Sequence, residues 1–133
     1  GDSGKNTYIF NKGDGKDTLL DENGYGIVLL NTDKDKVVFF KDGDTLIIGY
    51  SENDFVKVVN QFKEGEGIER VIVKDGQYIT RWDIENIVSA IIDFKSEQNI
   101  GYTQKYNELI NSQQYVALIS ESWQNNIRPV MLA

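Results

Sequence analysis

The sequence predicts a mainly β domain that finishes in a short α-helical carboxy-terminal segment. Three observations carry this expectation. Eight short β-branched and aromatic runs alternate with turn signals before residue 80. A Thr-x-x-Asp pair then opens a helical apolar stripe. The composition shifts between the two parts: 11 of the 12 glycines lie in residues 1–76, whereas 15 of the 38 residues from Ser96 onward are Asn, Gln, Ser or Thr.

The predicted strands are Thr7 to Phe10, Thr18 to Leu20, Ile27 to Leu30, Val37 to Phe40, Thr45 to Ile48, Phe55 to Val59, Ile68 to Val73 and Gln77 to Thr80. Asp42-Gly43 and Asp75-Gly76 each separate two such runs, and Gly supplies the positive φ of a tight hairpin. Phe55, Lys57 and Val59 alternate with Val56, Val58 and Asn60, the period of a strand with one largely buried face. Phe62, at the end of that run, is expected in the core, and Glu64-Gly65-Glu66-Gly67 is expected to be a loop. Thr80 and Asp83 form the expected capping box, and Ile84, Ile87, Val88, Ile91 and Ile92 follow the helical period, which predicts a helix from Trp82 to about Lys95. Gly101 interrupts the pattern; Tyr102, Tyr106, Leu109 and Ile110 begin a second stripe that weakens through Gln113-Gln114, and Tyr115 to Ile119 fit either helix or strand.

A chain of 133 residues has one domain's worth of core. Fourteen basic against 21 acidic residues leave a net charge of −7, the wrong sign for attraction to nucleic acid or anionic lipid. The longest strictly apolar run, Tyr115 to Ile119, is far below the roughly 20 residues of a membrane-spanning helix. Histidine and cysteine are absent, which removes imidazole bases, Cys and Ser-His nucleophile systems, and nitrogen or sulfur metal ligands. Any metal would be held by oxygen, a donor set that suits hard cations and calcium above all. The chain starts at Gly1 and its only Met is Met131, so it is expected to be a fragment or a processed piece.

Gly4-Lys5-Asn6-Thr7-Tyr8-Ile9 and Gly15-Lys16-Asp17-Thr18-Leu19-Leu20 share one spacing, Gly-Lys-(Asn/Asp)-Thr-apolar-apolar. Taken alone, these units read equally well as solvated turns. They resemble the Gly-Gly-x-Gly-x-Asp-x-U-x nonapeptide of haemolysin-type, repeats-in-toxin (RTX) proteins, in which U is a large apolar residue and the turns bind calcium. Asp2 and Asn6 depart from that pattern, as does the eleven-residue separation of Gly4 from Gly15. The following segments are similar, in order, to the region after the repeats in that family: Lys41-Asp42-Gly43-Asp44-Thr45-Leu46-Ile47-Ile48, Phe55 to Phe62, Ile68-Glu69-Arg70-Val71 and Lys74-Asp75-Gly76. The resemblance covers residues 1 to about 92.

The resemblance implies the end of a parallel β-roll capped by antiparallel β-hairpins. Residues 1–26 would be the last degenerate roll turns, 27–80 the β cap, and 81–133 a helical segment carrying an uncleaved type I secretion signal. It implies Ca²⁺ as the cofactor, with Asp17 the principal ligand, side chains of Asp2, Asn6 and Asp14 as candidates, and carbonyls of Gly4, Gly13 and Gly15 completing the shell. The implied partners are the upstream roll of the same polypeptide and the ABC transporter of a type I exporter. The protein is then expected to be monomeric and secreted, in solution or at a cell surface, with no catalytic residues in this piece. Toxins, adhesins, proteases and lipases can share such a tail.

Two other readings compete. An adhesive or carbohydrate-binding β domain would use Tyr25, Tyr50, Tyr78 and Trp82 as stacking surfaces, although aromatics at strand ends are more often packing groups. An enzyme would need a carboxylate pair such as Glu66 with Glu69 or Asp42 with Asp44, spacings that arise by chance among 21 acids. The segment from Ser96 to Ala133 reads both as export signal and as an amphipathic element packed on the cap.

Overall fold

Each of the eight apolar runs becomes a strand, and pairing between distant strands decides where each one lies. A computed structural model describes residues 6–125 and shows a mixed α/β domain, mostly β, with two four-stranded sheets and three α-helices among those residues. The strands are β1 (Thr7–Asn11), β2 (Lys16–Leu20), β3 (Gly26–Asn31), β4 (Val38–Asp42), β5 (Thr45–Gly49), β6 (Phe55–Val59), β7 (Ile68–Val73) and β8 (Tyr78–Thr80). The helices are α1 (Arg81–Ser89), α2 (Tyr102–Ile110) and α3 (Gln113–Ser120).

The first sheet has the order β1-β3-β7-β8 and the second β2-β6-β5-β4. Pairs β1·β3, β3·β7 and β2·β6 are parallel, while β4·β5, β5·β6 and β7·β8 are antiparallel. Consecutive strands β1, β2 and β3 therefore alternate between the sheets. The two expected hairpins are present: Gly43 (φ 65°) turns β4 into β5, and Gly76 (φ 91°) turns β7 into β8.

Register builds the core in rows. In the first sheet Tyr8, Val28, Val71 and Ile79 lie side by side, and in the second Asp17, Val56, Ile48 and Phe39 do the same. All but the first residue of each row are fully buried. The next row of the second sheet, Phe40 beside Ile47, faces the other way and is covered by the carboxy-terminal segment, with Phe94 edge-on to Phe40 at 5.2 Å and Tyr102 stacked on it at 6.1 Å. Phe62, expected in the core, is instead only partly buried, with the Lys41 ammonium 5.4 Å above its ring. It sits in the turn after β6, where one edge stays in water.

Thr80 caps α1 with the expected reciprocal bonds to Asp83, and Ile84, Ile87 and Val88 are buried against the sheets. The helix stops at Ser89 rather than continuing to Lys95. Asp93 instead accepts hydrogen bonds from the Lys95 amide at 2.9 Å and the Gly43 amide at 3.0 Å, and starts a separate 3-10 turn over Phe94–Ser96. That turn carries Phe94 onto the β4–β5 hairpin, a contact that a straight α1 would forgo. Tyr115 to Ile119 are helical, and Ser112 caps α3 by accepting from the Tyr115 amide.

The outer edges are treated unequally. At the edge of β4, the buried Tyr115 hydroxyl accepts from the Phe39 N–H and donates to the Phe39 C=O, both at 2.6 Å. At the edge of β8, Tyr78 and Gln124 exchange two backbone hydrogen bonds of 2.9 and 2.8 Å. Helix α1 packs on β4, β7 and β8 on that same side. At the opposite side, β1 and β2 each have only one strand neighbour among the described residues.

Candidate metal centre

The expected ligands fall around the turn that links β1 to β2. Asp2 and Gly4 lie outside the described residues. Asn6 precedes β1, and its backbone carbonyl accepts from the Ile27 amide at 2.8 Å, so that oxygen belongs to the first sheet. The Asp14 carboxylate accepts from the Asn11 amide at 2.7 Å and closes the turn locally. The Gly15 carbonyl accepts from the Phe55 amide at 3.0 Å, which commits it to the parallel β2·β6 ladder. The Gly13 and Gly15 amides both point at one carboxylate oxygen, Asp54 Oδ1, at 3.1 and 2.8 Å.

Asp54 is the residue that sequence reasoning missed. Its side chain also accepts from the Ser51 hydroxyl at 2.6 Å, and its backbone carbonyl accepts from the Tyr50 amide and the Tyr102 hydroxyl. Burial alone would raise its pKa. The Ser51 hydroxyl, the Gly15 and Gly13 amides and the charge of Lys12 outweigh that effect and hold the carboxyl below the ordinary aspartate range. The positive-φ glycines at 13 and 15 thus form a cradle of N–H donors around a built-in anion. The Ser51-x-x-Asp54 spacing is the one local signal; the amides it meets are 39 and 41 residues away.

Asp17 differs from the other candidates. It stands on β2 in the row that faces the opposite sheet, and its Oδ2 atom is buried without a hydrogen-bond partner. A buried carboxylate oxygen with no donor is costly, and a cation or an incoming donor would relieve it. Asp17 therefore keeps a carboxylate oxygen that no donor among the described residues engages. Among the described residues, no group of three or more Asp and Glu side chains is gathered to hold a metal ion.

Among the described residues, the inter-sheet core is only partly covered on the β1/β2 side. Tyr8 and Phe10 point inward from β1 but are only partly buried, and Ile9 on the outer face is 64% exposed. The Tyr8 hydroxyl donates to Asp21 Oδ2 at 2.9 Å, and burial, reinforced by that carboxylate, raises its pKa. Asp21 is fully buried and also accepts from the Asn23 amide, which fixes the turn between β2 and β3.

Three further tyrosines tie the helical segment to the sheets. Tyr102 donates to the Ser51 carbonyl at 2.6 Å, Tyr106 to the Lys36 carbonyl at 2.6 Å, and Tyr115 clamps Phe39. Lys105, nearly buried on α2, pairs with Glu97 at 2.6 Å. Residues 97–120 are thus an integral layer of the described fold.

The aromatics of the adhesive reading do not share one exposure. Tyr25 and Trp82 are exposed, Tyr50 is 1% exposed, and Tyr78 is half-buried beneath the Arg70 guanidinium, 4.5 Å from its ring centre. Asp42 and Asp44 flank Gly43 in the β4–β5 turn, and Glu69 pairs with Arg70 at 3.5 Å. No helix among the described residues is long and apolar enough to cross a membrane. Comparison of the sequence with protein-family models gave no match, and neither did a search of curated proteins.

Proposed function

We propose that this chain is the non-catalytic carboxy-terminal capping module of an RTX exoprotein, which promotes calcium-dependent folding of an upstream β-roll after type I export. The observation that carries the reading is the asymmetry of the sandwich. On one side every edge is stoppered, by Tyr115, by Gln124 and by α1. On the other side, among the described residues, β1 and β2 present unpaired strand edges, half-covered Tyr8 and Phe10, and an Asp17 oxygen without a hydrogen-bond partner. Exposed edges are normally blocked in proteins that stand alone. A further pair of strands, alternating between the sheets as β1, β2 and β3 do, would continue both ladders in parallel, extend the core over Tyr8 and Phe10, and bring new oxygen donors to Asp17.

In this reading the roll of the resemblance ends at β1 and β2, and calcium between stacked turns links folding to the extracellular ion concentration. The transporter would read the stretch from Ser96 onward in the unfolded chain, before Tyr102, Tyr106 and Tyr115 bind the sheets. The protein would then act outside the cell, or at its surface, as part of a longer polypeptide. Tyr50, buried under the turn, gives the adhesive reading no support.

The test is thermal unfolding of the chain in calcium, in magnesium and in chelator. A site with a dissociation constant of about 1 mM, filled at about 10 mM calcium, stabilises by roughly 1.4 kcal/mol, or about 5 °C for a domain of this size. The gain is expected to be smaller in magnesium and absent in Asp17→Asn. Coincident melting in calcium and chelator would overturn the calcium assignment.

A further inference from the structure

The residues between β5 and β6, Tyr50 to Asp54, bind two distant parts of the chain at once: the turn between β1 and β2, and the first turn of α2. Toward the turn, the Tyr50 hydroxyl donates to the Asn11 carbonyl at 3.3 Å, and Asp54 Oδ1 accepts from the Gly13 and Gly15 amides at 3.1 and 2.8 Å. Toward the helix, three carbonyls of the same loop meet hydroxyls. The Tyr102 hydroxyl lies 2.6 Å from the Ser51 carbonyl and 2.9 Å from that of Asp54, so its one proton is shared between them, and Thr103 donates to the Glu52 carbonyl at 2.8 Å. Gly49, just before the loop, has no side chain in the space that the Tyr102 hydroxyl fills.

Asp54 works in both directions, with its carboxylate toward the turn and its carbonyl toward the helix. The loop is also braced within itself. The Ser51 hydroxyl donates to Asp54 Oδ2 at 2.6 Å and accepts from the Asn53 amide at 3.0 Å, while the Asp54 carbonyl accepts from the Tyr50 amide at 3.0 Å. A segment tied in this way moves as one piece, because shifting Asp54 strains bonds on both sides together. Tyr50 and Asp54 are buried, so opening the loop would leave their polar groups unpaired at a real cost.

We infer that this loop is a conformational joint that makes closure of the β1–β2 turn and docking of α2 depend on each other. With the turn open, the Asp54 carboxylate loses two donors, and the loop holds its carbonyls less firmly toward Tyr102. With α2 undocked, the Ser51, Glu52 and Asp54 carbonyls lose their hydroxyls, and the carboxylate is aimed less firmly at the turn. Such coupling is reciprocal: each event favours the other by the same factor. Its use rests on the capping role proposed above, in which ordering the end of the roll would commit the carboxy-terminal segment to the fold and leave it open to an exporter until then.

The experiment is amide hydrogen exchange of the full chain by NMR, in chelator, for Tyr102→Phe, Asp54→Asn and Tyr115→Phe. The Gly15 amide and the Phe55 amide, which donates to the Gly15 carbonyl, report on the turn. The Lys105 amide, which donates to the Gly101 carbonyl, reports on α2, and the Val71 amide, in the middle of a strand paired on both sides, reports on global opening. Beyond any change at Val71, Tyr102→Phe should speed exchange at Gly15 and Phe55 about tenfold, and Asp54→Asn should do the same at Lys105. Tyr115→Phe removes a hydroxyl that bonds Phe39 and should leave Gly15 and Phe55 no more changed than Val71. If Asp54→Asn does not fold, Ser51→Ala, which withdraws one hydroxyl from the same carboxylate, takes its place. A helix variant silent at the turn, a loop variant silent at Lys105, or Tyr115→Phe acting on the turn as strongly as Tyr102→Phe would overturn the joint. Calcium is absent throughout, so this result and the calcium-dependent melting test can fail independently.

Discussion

Replacing Tyr115 by Phe isolates the stopper at the β4 edge. The substitution keeps the ring and removes one hydroxyl, which both accepts from the Phe39 N–H and donates to the Phe39 C=O at 2.6 Å. Phe39 is fully buried, so both backbone groups lose their partner in a place where water enters poorly. An orphaned buried polar group costs about 1–3 kcal/mol. Two groups on an edge strand that can relax slightly should together cost roughly 2–4 kcal/mol, against a total stability of about 5–15 kcal/mol. At about 3.6 °C per kcal/mol for 133 residues, the melting temperature should fall by roughly 7–14 °C. Urea unfolding should show a lower midpoint at unchanged slope, and hydrogen exchange at the Phe39 amide should accelerate. Tyr25→Phe, at an exposed ring, provides the neutral control. A loss below about 0.5 kcal/mol with unaltered protection of Phe39 would refute the edge-stopper argument.

Burial raises the pKa of Tyr50, Tyr102, Tyr106 and Tyr115 above the ordinary value of 10.0, that of Tyr106 to about 12. The unfolded chain releases these protons first, so the contribution of the tyrosines to stability should be constant below pH 10 and be lost as pH rises from 10 to about 12 and beyond, measurable as the urea midpoint against pH. Asp54 has the opposite sign: its lowered pKa stabilises the fold above the ordinary aspartate value of 3.8 and the contribution disappears as pH falls through the folded value. Asp54→Asn should therefore destabilise at neutral pH by about 1–3 kcal/mol and flatten the acid limb of the same curve. Gly67→Ala should destabilise by about 1–3 kcal/mol in chemical denaturation, because its φ is 89° and an added Cβ would collide with the Gln61 amide that pairs with Ile68. Phe62→Ala should cost roughly 1–3 kcal/mol, less than a fully buried ring, by the same measurement.

What the sequence determined alone was local. All eight strands were legible because period-2 runs of β-branched and aromatic residues sit between turn residues, and the Asp42-Gly43 and Asp75-Gly76 hairpins because only glycine takes those positive φ angles cheaply. The Thr80–Asp83 box was legible because both partners lie within one turn. The length of α1 was not, since Ile91 and Ile92 continue the stripe while Asp93 is drawn to the Gly43 amide 50 residues away. The same distance hid the role of Asp54: nothing near Ser51 announces that the Gly13 and Gly15 amides will arrive there. Of the candidate ligands, the resemblance singled out Asp17, but only the packing of β2 against β6 turned its side chain toward the opposite sheet and buried an oxygen without a donor among the described residues. Parallel pairing of β1 with β3 and β7, and of β2 with β6, belongs wholly to the tertiary structure, because backbone hydrogen bonds carry no residue code and register is chosen by which apolar rows can share one core.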